Sequence, residues 1–169
     1  MEQIITNGFT LDIVSGSTVS FAGMTASAAT TINGTAGAET ITGTESVDNF
    51  YAGAGADILN GGGNNDNFYV TGTDILGGTI DGGAGADDEI FMLADTQFNT
   101  ATTIANINQI HFGGFNIIVT SGSTVDFTGI DRANAGQIHG QGGNEDIMGM
   151  DNGDFIYGFG GQDTLRGGL

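Results

Sequence analysis

From Gly34 to Tyr69 the chain repeats a nine-residue pattern four times, with an acid at the sixth place (Glu39, Asp48, Asp57, Asp66) and an apolar residue at the eighth (Ile41, Phe50, Leu59, Phe68). Glycine or another small residue fills the first place (Gly34, Gly43, Ala52, Gly61) and the fourth (Gly37, Ser46, Gly55, Asn64). Six small or polar residues read as a tight turn, and the last three as a short strand whose eighth-place side chain faces inward, because successive strand residues point to opposite sides. Strand alternation continues elsewhere, at Phe9, Leu11 and Ile13, at Val19 and Phe21, at Phe115, Ile117 and Val119, and at Val125 and Phe127. Between Asp95 and Ile110 the β-branched threonines and isoleucines favour strand or loop over helix. The pattern predicts an all-β chain: one continuous parallel β-solenoid in which two nonapeptides make one coil.

A longer regularity lies over the first. Residues 1–62 align without a gap to residues 107–168 at an offset of 106, with 25 of the 62 positions identical. Ser15-Gly16-Ser17-Thr18-Val19 returns as Ser121-Gly122-Ser123-Thr124-Val125, and Tyr51 as Tyr157. The expected organisation is a full unit, 1–106, with nonapeptides at 34–69 and a further turn at 82–87, then a partial second copy, 107–169, with nonapeptides at 140–168. The offset puts Glu145, Asp154 and Asp163 at the acid place and Ile147, Ile156 and Leu165 at the core place.

This spacing suits a hard cation. Glycine lets backbone carbonyls approach an ion that side chains would block, and calcium takes roughly six to eight oxygens, more than one turn supplies. Each ion is therefore expected between turns stacked one coil apart, Glu39 facing Asp57 and Asp48 facing Asp66. The candidate metal residues are Glu39, Asp48, Asp57, Asp66, Asp87, Glu145, Asp154 and Asp163, with Gly34, Gly43, Gly53, Gly55, Gly61, Gly82, Gly83, Gly85 and Gly158 shaping the turns. Asp87 closes the isolated turn Gly82-Gly83-Ala84-Gly85-Ala86-Asp87, after which Glu89 falls where a core residue belongs; Asp74 is a weaker match still.

Composition narrows the setting. Twenty acids stand against two basic residues, Arg132 and Arg166, for a net charge of −18 that bound calcium would offset. So acidic a surface is a poor partner for nucleic acid or acidic lipid. No apolar run approaches a membrane span, and cysteine is absent, which excludes a disulfide scaffold. The N-terminus shows no basic start followed by an apolar stretch, so no cleaved secretory signal is expected. Enzymatic readings find little: His111 and His139 replace Ile5 and Asn33 of the first copy, Tyr51, Tyr69 and Tyr157 are ninth-place strand residues, and Met24, Met92, Met148 and Met150 read as filler. The aromatic residues fall mostly at inward phases.

With these blocks in view, 34–69 and 140–168 resemble the calcium-binding nonapeptide repeats of RTX proteins. The resemblance implies a right-handed β-roll, several bound calcium ions, type I secretion and an extracellular place of work, secreted or at the cell surface, as for bacterial surface or matrix proteins. Two non-enzymatic functions follow as expectations. In the first, the calcium-folded solenoid is a structural protein that joins head to tail into a filament, surface layer or biofilm matrix, since the sequence stops at Gly167-Gly168-Leu169 inside a repeat. In the second, it is an adhesive module that binds a cell-surface glycan.

Overall fold

The short strands suggested by the alternation do form, and they pair in parallel with the strand one coil away. The computed structural model describes residues 3–4 and 10–168; of the strand expected at Phe9, Leu11 and Ile13, Phe9 lies outside the described residues, as does Ile5. Every regular element described is a strand. A ten-stranded sheet runs from Thr10–Asp12 to Ile156–Tyr157, a five-stranded sheet from Thr18–Ser20 to Thr103–Ala105, and a three-stranded sheet joins Thr124–Asp126, Asp146–Met148 and Thr164–Arg166. The chain is a parallel β-solenoid.

Coil length follows the repeat. Ile32 pairs with Phe50 and Phe50 with Phe68, while across the core Ile41 pairs with Leu59; each step is two nonapeptides long. Outside the nonapeptides the coils are wider, from Phe68 to Ile90, from Leu59 to Ile80 and from Ile80 to Ile104. The surplus residues sit in turns and in the strand Glu89–Phe98, which slips register between Met92 and Thr96 and pairs onward with both Gln109–His111 and Asn116–Val119. The segment from Asp95 to Ile110 is thus strand and loop.

Eighth-place residues form the core. Ile41, Phe50, Leu59 and Phe68 are buried, as is Ile147 of the second copy, and Phe50 stacks on Phe68 with ring centroids 4.9 Å apart. A narrow solenoid has one such column per sheet, so each column residue contacts its equivalents above and below. Leu165, on the last strand described, is 42% exposed.

Two expectations are corrected. Phe115 does not point inward: Gly113 and Gly114, both at positive φ, turn the chain, so that Phe112 takes the core place and Phe115 is exposed. Nor are the aromatics mainly internal. Tyr51, Tyr69, Phe91 and His111 stack outside the ten-stranded sheet at centroid spacings of 4.6, 5.1 and 4.3 Å, and Phe155, Tyr157 and Phe159 are exposed. Parallel in-register pairing puts equivalent places directly above one another, and an outward ninth-place ring then meets its neighbour face to face.

Phe68→Ala should lower stability by about 3–5 kcal/mol, because a fully buried aromatic column cannot collapse around the gap. Tyr51→Ala, at the exposed end of the outer stack, should cost no more than about 1 kcal/mol. Chemical denaturation in saturating calcium would compare them.

Candidate metal centre

The acids at the sixth place end each turn just before a strand, and parallel stacking sets each above its equivalent in the next coil. What links them is a backbone bond. The Glu39 N–H donates to Asp57 Oδ1 at 2.8 Å, the Asp48 N–H to Asp66 Oδ1 at 2.8 Å, the Asp66 N–H to Asp88 Oδ1 at 2.7 Å, and the Glu145 N–H to Asp163 Oδ1 at 3.1 Å. Both eighteen-residue pairs anticipated from the spacing are brought together in this way, each on its own edge of the solenoid.

One oxygen of each aspartate is thereby used, and the other often is not. Asp57 Oδ2, Asp66 Oδ2, Asp88 Oδ2 and Asp48 Oδ1 are buried without a hydrogen-bond partner. A buried carboxylate oxygen lacking a donor is costly unless a cation meets it.

Glycine keeps the space beside these oxygens open. A Cβ at Gly61 would collide with Asp66 Oδ2 and the Gly82 carbonyl, one at Gly43 with the Gly61 carbonyl, and one at Gly85 with the Asp88 carboxylate. At Gly34 the obstacle is the Ala52 carbonyl, at Gly82 the Asn106 carbonyl, and at Gly158 the Asp163 carboxylate. Gly53, Gly55 and Gly83 have a different reason to be glycine as well: their φ values are 79°, 143° and 87°. At Gly55 a side chain would be strained and would also strike the Gly37 carbonyl.

The two glutamates behave differently. Glu39 is fully served, its Oε1 accepting from the Gly16 N–H at 2.8 Å and the Thr35 hydroxyl at 2.7 Å, and its Oε2 from the Thr35 N–H at 3.0 Å. Glu145 repeats this one copy later, with the Gly122 N–H at 2.8 Å and the Gln141 N–H at 3.2 Å. The longer side chain reaches the Ser-Gly turn of the preceding coil and closes the acid ladder there by hydrogen bonds.

At the isolated turn the structure selects Asp88, not Asp87. Asp87 is exposed, whereas Asp88 is buried and continues the ladder, its own N–H donating to Asn108 Oδ1 at 2.8 Å. An extra residue shifts this turn by one, and Ile90, two places after Asp88, is the buried core residue in place of Glu89. That aspartate-x-isoleucine spacing is the signal by which the sequence could have revealed it. Asp74 is buried too and accepts the Thr71 N–H at 2.7 Å. In the second copy Asp163 is half-buried, and the Asp154 side chain is enclosed with its Oδ1 unpartnered.

Burial and like charge set the electrostatics. Burial, with the nearby Glu39 and Asp74 carboxylates, pushes Asp57 up to about 6. Burial between Asp48 and Asp88 pushes Asp66 up to about 8. Asp48, Asp88 and Asp154 are raised by burial as well. For Glu39 burial acts upward, but the bonds from Thr35 and Gly16 outweigh it and hold the group below its ordinary value.

These features fit calcium. The donors are all oxygen, carboxylate and carbonyl together, and the chain has no cysteine to favour a softer metal. Among the described residues no three acidic or imidazole side chains converge, so an ion's shell here draws on paired carboxylates and backbone carbonyls of adjacent turns. Asp48, Asp57, Asp66 and Asp88 are the residues that would hold it in the first copy.

A parallel β-solenoid with such turns belongs to the class of calcium-binding repeat proteins. The RTX calcium-binding nonapeptide repeat, in four copies, matches residues 33–68 and 139–169, so these two segments are RTX repeats. No curated protein and no solved structure matches the chain.

Two outcomes are expected at this site. Asp88→Asn should remove one calcium from the titrated stoichiometry by calorimetry, while Asp87→Asn should leave both the stoichiometry and, within about 0.5 kcal/mol, the stability unchanged. The second concerns pH. Asp57 and Asp66 titrate higher in the fold than their ordinary 3.8, so the folded chain binds more protons than the unfolded one across that interval and its stability falls as pH rises. With a chelator present, the denaturation midpoint should decline from pH 4 to pH 8, and saturating calcium should remove most of that slope.

Proposed function

We propose that this chain is a non-enzymatic structural module that works outside the cell, where calcium closes its solenoid and the folded solenoids associate into a filament, surface layer or matrix. The observation that carries the reading is the columns of buried aspartates with unpartnered oxygens, Asp48, Asp66 and Asp88 on one edge and Asp57 on the other. Such a column opposes stacking until cations arrive. Modules of this open kind fill at calcium of about 0.1–1 mM, as found outside cells, so folding and ion binding become one equilibrium. RTX repeats are typical of secreted bacterial proteins, and no helix among the described residues is long and apolar enough to cross a membrane. Type I secretion suits a chain whose fold is weakened at low calcium.

A second reading has its own support. His139, Tyr157 and Phe159 form an edge-on cluster with centroids 5.4–6.2 Å apart, and Phe155 and Phe159 are 60% and 71% exposed. Exposed rings of this kind suit the apolar faces of sugars, and the chain would then be a calcium-dependent adhesive module.

Light scattering and circular dichroism during calcium titration, with electron microscopy of the end point, separate the two. Strand signal appearing together with filaments or sheets is the expected result. A folded species that stays monomeric would remove the assembly reading and direct attention to glycan binding, and no response to calcium would remove both.

A further inference from the structure

The second copy departs from the first at one acid. The offset of 106 matches Asp154 to Asp48, Gly136 to Thr30 and Arg132 to Ala26. In the first copy Thr30 pairs in register with Asp48, and no basic residue occurs in that copy. In the second, the Phe112 ring fills the space beside Gly136, and the Arg132 side chain donates from one terminal nitrogen to the Asn134 and Gly136 carbonyls at 3.4 Å each. Its Nε lies 4.0 Å from Asp154 Oδ1; the Asp154 side chain is 1% exposed, and neither atom has another partner. The remaining Asp154 oxygen, Oδ2, accepts the Met150 N–H at 2.5 Å. Arg166, the other basic residue, also pairs within this copy, with Asp146 at 2.5 Å.

We infer that the Arg132 guanidinium is the resident cation of the Asp154 site, so that this acid, although on the repeat phase, is not a calcium ligand. An arginine and a carboxylate buried together each supply what the other lacks, whereas either alone would be a buried uncompensated charge. Asp48 has no such neighbour and depends on an ion from solution. Calcium demand is therefore concentrated on the unpartnered aspartates of the first copy. This rests on the calcium reading proposed above.

The test uses the full chain. By calorimetric calcium titration, Asp66→Asn should lower the stoichiometry and Asp154→Asn should leave it unchanged; loss of one calcium in Asp154→Asn would overturn the assignment. With two arginines in the chain, nitrogen-15 spectra carry two Nε–H signals. One of them should exchange slowly with solvent and shift on Asp154→Asn, and an unmoved pair would overturn the pairing. If Asp154→Asn does not fold, Arg132→Ala and Arg132→Lys replace it. The alanine variant should raise the calcium midpoint for folding by at least about threefold and lysine should recover most of that, since removing one member of a buried pair is what costs; equal midpoints in the two would overturn the inference. A wild-type chain that takes up no calcium would remove the proposed function instead, and the Nε–H signals would still report the pairing.

Discussion

A buried aspartate that accepts the backbone N–H of the acid one coil earlier is the contact on which the solenoid depends. It fixes the register of two turns and, in the same act, takes a carboxylate out of water. The second effect opposes folding, because Asp57 sits near Glu39 and Asp74, and Asp66 between Asp48 and Asp88. Hydrophobic columns of one or two side chains per coil are too thin to dominate such repulsion alone. A cation between turns reverses its sign, and since every link joins two coils, neutralising one favours its neighbour. Folding along the axis is then a nearest-neighbour process.

Much of this is written locally. A period of nine places acid, turn and core residue in one motif, and the pairs Glu39–Asp57 and Asp48–Asp66 follow from counting alone, because both coils have the repeat's own length. Counting fails where coil length changes. One additional residue before Asp88 displaced the acid and its core partner together, so the motif read at Asp87 was one place early. Phe115 was misplaced because two glycines at positive φ turn the chain just ahead of it and the strand begins only at Asn116. The outward stack from Tyr51 to His111 comes from parallel register among ninth-place residues, which a single strand cannot show. Nor does any local pattern announce that Arg132 lies beside Asp154, twenty-two positions away.

The two copies thus answer one electrostatic problem differently. In the first, three successive acids on one edge, Asp48, Asp66 and Asp88, are buried with unpartnered oxygens and no basic residue. In the second, both arginines of the chain lie against acids. What is shared is the start of each ladder: Glu39 and Glu145 both reach the preceding Ser-Gly turn, and there the extra methylene of glutamate substitutes hydrogen-bond donors for a metal.

The column of outer rings gives the molecule a spectroscopic voice of its own. The chain contains no tryptophan, and Tyr51 and Tyr69 lie face to face, 4.6 Å between centroids and 9° from parallel, on two successive coils that carry the aspartate links. Two phenols held so close couple their electronic transitions, and the sign and splitting of their near-ultraviolet dichroism depend on the distance and twist between coils. Absorption bands of the native side chains therefore measure the rise of the solenoid directly, without a dye or a label.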